Sequence, residues 1–262
     1  MIWTNTALFD SLILKKQITK NKEQATFIIL GAGDIDITEF PNVKLVYRAG
    51  VGTDNINFSN IPVVFPSDSI KELIYEETAN FTCFLIFKML YDHLADLNNW
   101  CSKKRHTLKN KKLLIIGAGN IGGRVHSKMI PFIENISIYD IKNGSSPPDY
   151  SSADIITVHI PHTQENEGFI DKHILNKCKN NAILINTARG SIFNEDDLYY
   201  KLQNSDMRAA FDVFWDEPYS GKLTTLDREK FFITPHMASS NIEFVEGCFD
   251  EIKSYYEGSE VF

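Results

Sequence analysis

Short apolar runs recur along this chain at intervals long enough to hold a helix between them. FIIL at 27–30, VKLVY at 43–47, PVVF at 62–65, KLLII at 112–116, ISIY at 136–139, IITV at 155–158, AILI at 182–185, RAAF at 208–211 and FFIT at 231–234 each read as a strand. Most are continuous rather than alternating, so both faces of these strands expect burial, as in a parallel sheet covered by helices. Helical patterning occupies 69–91, 121–130, 170–177, 194–204 and 241–257, the last with Asn241 as N-cap and Gly258 as stop. The polar, basic stretch 98–110 (NNWCSKKRHTLKN) interrupts this alternation and reads as a linker. The pattern therefore predicts an α/β chain of two parallel-sheet domains. One is 1–95 completed by 241–262, and the other is 96–240.

Composition narrows the class. With 43% hydrophobic residues the chain has ample material for packed cores and no tract that expects disorder. A formal net charge of -7 argues against a nucleic-acid partner. The four cysteines (Cys83, Cys101, Cys178, Cys248) show no C-x-x-C pairing and the first ten residues lack the layout of a secretory leader, so free thiols and a cytoplasmic setting are expected. The longest apolar stretch, 81–90, is too short to span a bilayer and contains Lys88, so no membrane partner is expected.

A cofactor signal sits at 113–122, LLIIGAGNIG. A strand runs directly into Gly117-x-Gly119-x-x-Gly122 and a helical pattern follows. The first glycine makes the tight turn, the second lets backbone approach a pyrophosphate, and the third allows close helix–strand packing. Asp140 ends the next strand, 21 positions after Gly119, at the spacing of an acid that accepts hydrogen bonds from the adenosine ribose. Its charge would repel a 2′-phosphate, which favours NAD over NADP. The domains are accordingly read as Rossmann-like or flavodoxin-like doubly wound sheets. Gly31-Ala32-Gly33 also follows a strand, but Asp36 stands at the third position and the stretch reads as a plain turn.

Three further stretches each place ionisable residues just after a strand: Arg189 in ILINTARGS, Asp212 and Glu217 in AAFDVFWDEP, and His236 in FITPHMAS. Ligands of open α/β sheets sit beyond the carboxyl ends of the strands, so these residues can converge on one crevice. Together with RAGVGTDNI at 48–56 and HIPHT at 159–163, the set closely resembles the D-isomer-specific 2-hydroxyacid dehydrogenases, over roughly residues 40–245.

That resemblance implies an NAD-dependent oxidoreductase acting on a small 2-hydroxy or 2-keto acid in an interdomain cleft. The second domain would bind NAD, and the first would bind substrate. Arg189 would hold the substrate carboxylate and carbonyl oxygen, a task suited to a permanently charged fork. His236 would be the acid–base residue, paired with Glu217. Asp212 would contact the nicotinamide carboxamide, with helix capping as its plain alternative. Thr78 would lie at the nicotinamide, and His159, Ile160 and Pro161 would line the adenine side. Asn120 and Ile121 in the glycine turn, Thr187 and Ala188 before Arg189, and Ala238 and Ser239 after His236 complete the implied cofactor set. Arg48, Val51 and Gly52 would face the substrate, Val51 also near the nicotinamide. A homodimer with Trp100 near its interface is implied as well. No clustered partner makes His159 or His162 a metal ligand.

The match is incomplete in places. The first domain looks trimmed, Gly31-Ala32-Gly33-Asp34 replaces an Arg-Ser-x-Thr-like turn, Asn57 replaces a frequent Asp, Asn166 replaces a frequent Thr, and the segment after Asp140 is abbreviated. These departures leave the identity of the acid open among phosphoglycerate-, glycerate- and glyoxylate- or hydroxypyruvate-like molecules. Arg48 tilts the reading toward the first two. The stretch Glu76-Glu77-Thr78-Ala79 resembles the C-terminal-binding-protein corepressors, so an NAD(H)-sensing binding protein with little turnover is the second reading.

Overall fold

A computed structural model describes residues 1–9, 17–56, 60–91, 95–96, 100–144 and 147–257. Asn57 and Gly258, both singled out from the sequence, lie outside them. The chain divides into two compact units, 1–75 with 239–262, and 76–238.

The first unit holds a four-stranded parallel sheet of β1 (Ile2–Thr4), β2 (Phe27–Leu30), β3 (Leu45–Arg48) and β4 (Val63–Val64), in that order. Alternate residues of one strand serve opposite faces. Phe27, Ile29 and Tyr47 therefore enter one core, while Ile28, Leu30 and Val46 enter the other. The terminal helix α5 (Ile242–Glu257) lays Phe244, Cys248 and Ile252, one turn apart, against the first of these faces. Asn241 caps it as expected, its Oδ1 accepting from the N–H of Phe244 at 2.7 Å. The buried Tyr47 hydroxyl donates to Glu251 of α5 at 2.7 Å and so fixes the helix on the sheet. The strand β1 escaped the sequence reading because three residues at a sheet edge carry too little pattern.

The second unit holds six parallel strands: β7 (Lys112–Ile116), β8 (Asn135–Tyr139), β9 (Ile155–Val158), β10 (Ile183–Asn186), β11 (Arg208–Phe211) and β12 (Phe231–Ile233). Their spatial order is β12-β11-β10-β9-β7-β8. Leu114, Ile116, Ile156, Leu184, Ala209 and Phe211 fill the core on one face; Leu113, Ile115, Ile155, Ile183 and Ala210 fill the other. Helix α1 (Asp68–Tyr91) covers the second face with Ala79, Cys83, Ile86 and Met89, joined by Val125 and Met129 of α2 (Asn120–Met129). Leu175 of α3 (Lys172–Leu175) and Leu198 and Leu202 of α4 (Glu195–Gln203) pack on the first. The division between units thus falls inside α1, at Tyr75/Glu76, because Ile70 and Ile74 belong to the first unit's core and the residues from Ala79 onward to the second's. A two-residue pairing of β5 (Ala95–Asp96) with β6 (Cys101–Ser102) reaches into the segment read as a linker, residues 98 and 99 of which lie outside the described ones.

The strand order reverses between β7 and β9: β8 lies on one side of β7 and every later strand on the other. A crevice at the carboxyl ends of the strands belongs at such a switch point. Among the described residues no helix is long and apolar enough to cross a membrane, and the four cysteines are free.

Phe211 is fully buried and its ring meets those of Phe193 and Phe231 at 4.8 and 5.3 Å. Phe211→Ala is expected to cost about 3–5 kcal/mol, read as a lower urea midpoint at unchanged m-value.

Candidate active site

The glycine turn leaves β7 at Gly117, whose N–H donates to the carbonyl of Tyr139 at 2.8 Å. Its φ of 95° is open to glycine and strained for other residues, and a Cβ there would stand 2.6 Å from the carbonyl oxygen of His159. Gly122, on α2, passes so close to the turn that a Cβ would come within 1.9 Å of the Gly117 carbonyl oxygen. Gly119 differs. Nothing lies within 4 Å of the Cβ it lacks, so its surroundings are open at the head of α2, where backbone N–H groups are unspent. A phosphate group fits that opening. Asp140 closes the turn from β8, accepting from the backbone N–H of Ala118 at 2.8 Å and, at its other oxygen, from the backbone N–H of Lys142 at 2.9 Å.

His159 follows β9 and backs the turn. Its Nε2 is 2.9 Å from the Thr157 hydroxyl, its Nδ1 is buried without a hydrogen-bond partner, and burial pushes its pKa down to about 3. The ring is therefore neutral near pH 7, and its unpartnered nitrogen is enclosed by the protein. Ile160 lies against Gly117, 3.0 Å from its missing Cβ, and the carbonyl of Pro161 accepts from Asn166.

At the end of β10, Asn186 is fully buried and shapes the next turn. Its amide oxygen accepts from Ala188 N–H at 3.0 Å, and its Nδ2 donates to the Arg189 carbonyl at 2.9 Å. Arg189 is half-buried there, with Nη1 donating to the Ala188 carbonyl at 2.8 Å. Thr187 shares a 2.8 Å hydrogen bond with Thr82 of α1, whose hydroxyl also bonds the carbonyl of Thr78. This buried hydroxyl chain ties the Arg189 turn to the helix that carries Thr78.

Asp212, after β11, is 0% exposed. Its carboxylate accepts from the Thr234 hydroxyl at 2.5 Å, Met237 N–H at 3.0 Å and Ala238 N–H at 2.9 Å. Burial raises its pKa, and these bonds and the charge of His236 oppose the rise. The carboxylate thus clamps the turn after β12 from both sides of His236. That clamp matters because His236 sits at φ 51°, a left-handed conformation that costs an L-residue roughly 1–2 kcal/mol. The turn aims the imidazole at Glu217, with His236 Nδ1 2.7 Å from Glu217 Oε2. Glu217 Oε1 accepts from Phe214 N–H at 3.1 Å. Burial alone would push the Glu217 carboxyl up; the hydrogen bond and charge of His236, the Phe214 N–H and the Arg189 guanidinium outweigh it and hold it below the usual glutamate range. An acid–base group with one nitrogen fixed by a carboxylate, a guanidinium near that carboxylate and a phosphate-sized opening at the carboxyl end of the same sheet can bind an anionic carbonyl compound next to a dinucleotide.

Residues 89–238 match the NAD-binding domain of the D-isomer specific 2-hydroxyacid dehydrogenases. The chain belongs to that family. It is 31% identical over 228 residues to the D-3-phosphoglycerate dehydrogenase of Bacillus subtilis, covering 77% of this chain and 42% of that protein. The chain thus spans less than half the length of that relative. It is 28% identical over 240 residues to the hydroxypyruvate reductase of Thermotoga maritima, covering 80% and 78%, and 27% identical over 254 residues to the formate dehydrogenase of Candida boidinii, covering 83% and 70%. In fold it is similar to the NAD-dependent formate dehydrogenase of Staphylococcus aureus in complex with NAD, at a TM-score of 0.77 and 23% identity over 98% of this chain and 95% of that one.

Within this family member, Gly117, Gly119, Asn120, Ile121, Gly122, Asp140, His159, Ile160, Pro161, Thr187, Ala188, Arg189, Asp212, Glu217, His236 and Ala238 all belong to the second unit, most of them just beyond the carboxyl ends of its strands. Arg48, Val51, Gly52 and Ser239 lie in the first unit. Arg48 is buried, its Nε donating to the Gly52 carbonyl at 3.1 Å and its Nη1 to those of Leu30 and Ala49 at 3.3 Å. These bonds brace the 49–52 loop from beneath. The residues the sequence reading missed are Thr82, Thr157, Asn186 and Thr234, polar residues lying within or at the ends of apolar stretches. Among the described residues no group of three or more His, Cys, Asp or Glu gathers as a metal site. A separate cavity of 890 Å³ opens at the amino ends of the strands, near Lys111, Ile183 and Arg208, away from this chemistry.

Because folding lowers the Glu217 pKa, its stabilising effect is present above the ordinary glutamate range and disappears as pH falls through the lowered value. The urea midpoint of the wild type is therefore expected to exceed that of Glu217→Gln at neutral pH, and the two curves to converge as the buffer is taken acidic. A gap that persists undiminished into acid would refute the pairing as the source of that stability.

Proposed function

We propose that this chain is an NAD-dependent oxidoreductase interconverting a small D-2-hydroxy acid and its 2-keto acid. The observation that carries this reading is the His236–Glu217 pair, held by Asp212 at the carboxyl ends of the strands, where Arg189 and the glycine turn also lie. A dinucleotide held at the glycine turn and Asp140 would supply the hydride for reduction at C2 and accept it in oxidation. The chain's own groups do the rest. Arg189 binds the carboxylate and draws charge from the carbonyl oxygen. His236, with Nδ1 engaged by Glu217, gives a proton from Nε2 to that oxygen, which yields the hydroxy acid. In the oxidative direction the same nitrogen accepts the hydroxyl proton, and Glu217 stabilises the imidazolium that results. The Asp140 carboxylate beside the turn supports NAD over NADP.

A phosphoglycerate-, glycerate- or glyoxylate- or hydroxypyruvate-like acid is the proposed substrate class, supported by the relatives' names. Formate is the competing reading, raised by two of them. Oxidising formate to carbon dioxide releases no hydroxyl proton, so a carboxylate-paired imidazole has nothing to accept; this pair favours a hydroxy acid. A homodimer using the Trp100 region belongs to the same proposal and follows from the family resemblance; the indole there is 87% exposed. A cytoplasmic setting is proposed on the strength of four free thiols.

Purified protein with NADH and a panel of 2-keto acids, and with NAD and formate, tests the reading by absorbance at the reduced nicotinamide band. Oxidation of NADH by at least one keto acid is expected. Tight NADH binding without turnover of any acid would favour the sensor instead, and turnover of formate alone would move the chain to that chemistry. His236→Ala is expected to lower kcat by about 10² to 10⁴, while Arg189→Gln raises KM and lowers kcat together in steady-state assays.

A further inference from the structure

Beside the glycine turn lies a cavity of 480 Å³ walled by Ala118, Gly119, Asn120, Arg124, Lys128 and Glu76, among others. The helix explains why cations stand there. Side chains of an α-helix lean toward its N-terminus, so Arg124, one turn into α2, returns to the helix mouth, where its Nη1 donates to the Asn120 carbonyl at 2.6 Å. Lys128 follows one turn later on the same face. Both reach a single carboxylate, Glu76 of α1: Arg124 Nε stands 3.5 Å from its Oε2, and Lys128 Nζ is bonded to its Oε1. Two cations share one anion, so the three groups together carry one positive charge, next to a helix N-terminus that itself favours anions. All three side chains keep contact with solvent, Glu76 most of all. Bridges of this exposed kind are weak enough to exchange partners.

We propose that Arg124 and Lys128 are side-chain ligands of the cofactor's pyrophosphate, and that Glu76 holds them in place until the pyrophosphate displaces it. The proposal rests on the NAD-binding reading above. The G-x-G-x-x-G pattern ends at Gly122 and assigns nothing to these residues. A pyrophosphate brings two negative charges against one on Glu76, and its oxygens match the fork of a guanidinium. The displaced carboxylate returns to water on its exposed side. Glu76 is then a competitor as well as a holder, and cofactor affinity is set by the balance between the two anions.

The test uses calorimetric titration of ADP-ribose, which contains the pyrophosphate, and of adenosine, which lacks it, into the full chain and its Arg124→Gln, Lys128→Gln and Glu76→Gln variants. NADH fluorescence titrations run in parallel, and thermal melts check folding, with Arg124→Lys in reserve if Arg124→Gln does not fold. Arg124→Gln is expected to weaken ADP-ribose and NADH about tenfold and Lys128→Gln about threefold, with adenosine unaffected. Glu76→Gln is expected to tighten ADP-ribose about two- to threefold at low ionic strength, an advantage that fades as salt is added. If Glu76 were only a brace between helices, its variant would bind more weakly and melt earlier, which would overturn the exchange. Unchanged ADP-ribose affinity in both cation variants would overturn the proposal and leave the NAD reading standing. A wild-type chain that binds neither ADP-ribose nor NADH would overturn both.

Discussion

Burial of both faces of the central strands β7, β9, β10 and β11 is the constraint from which the rest of the second unit follows, whereas β8, expected to be buried, stays largely exposed because it lies at the edge of the sheet. Leu113 to Ile116, Ile155 to Val158 and Ile183 to Asn186 send side chains alternately into two apolar cores. A strand buried on both sides has no room for solvated chemistry along its length. Ionisable groups that serve a ligand must therefore stand where the strands end. Asp140, His159, Arg189, Asp212 and His236 all do so, each within three residues of its strand's carboxyl end.

Placing groups at strand ends does not orient them, and the structure uses buried polar residues for that. Asn186 bends the chain so that Arg189 emerges, Thr187 and Thr82 pin that bend to α1, and Asp212 gathers three donors from the stretch that contains His236. Such groups are stabilising only when every hydrogen bond is made, because an unpaired polar atom in a core costs its full desolvation. The left-handed backbone of His236 persists because donors on either side of it are held by one carboxylate. The resemblance assigned Asp212 to the nicotinamide; its hydrogen bonds show a buried carboxylate that positions the turn carrying the histidine.

The turn after β7 follows the same logic with sterics in place of hydrogen bonds. Gly117 and Gly122 lack side chains because other atoms of the protein occupy the space, whereas Gly119 lacks one beside open space. Three glycines with one spelling thus perform two tasks. The close contacts at Gly117 and Gly122 and the open space at Gly119 agree with the separate tasks that the spacing of the motif assigns them.

The sequence by itself determined the periodicity of the buried strands, the bounds of the main helices to within a residue or two, the glycine turn with Asp140 behind it, and the strand-end stretches that carry Arg189, Glu217 and His236. Each is encoded locally, by a run of apolar residues or by a short motif whose neighbours are near in the chain. Tertiary structure alone decided that α1 is divided between two cores, that β1 pairs at an edge, that Arg48 is spent on backbone carbonyls, and that Thr82, Thr157, Asn186 and Thr234 are structural partners of the site. The reason is range. A hydrogen bond between Thr82 and Thr187 crosses 105 positions, and nothing in the spacing of a single chain reports which distant donor will meet which buried acceptor.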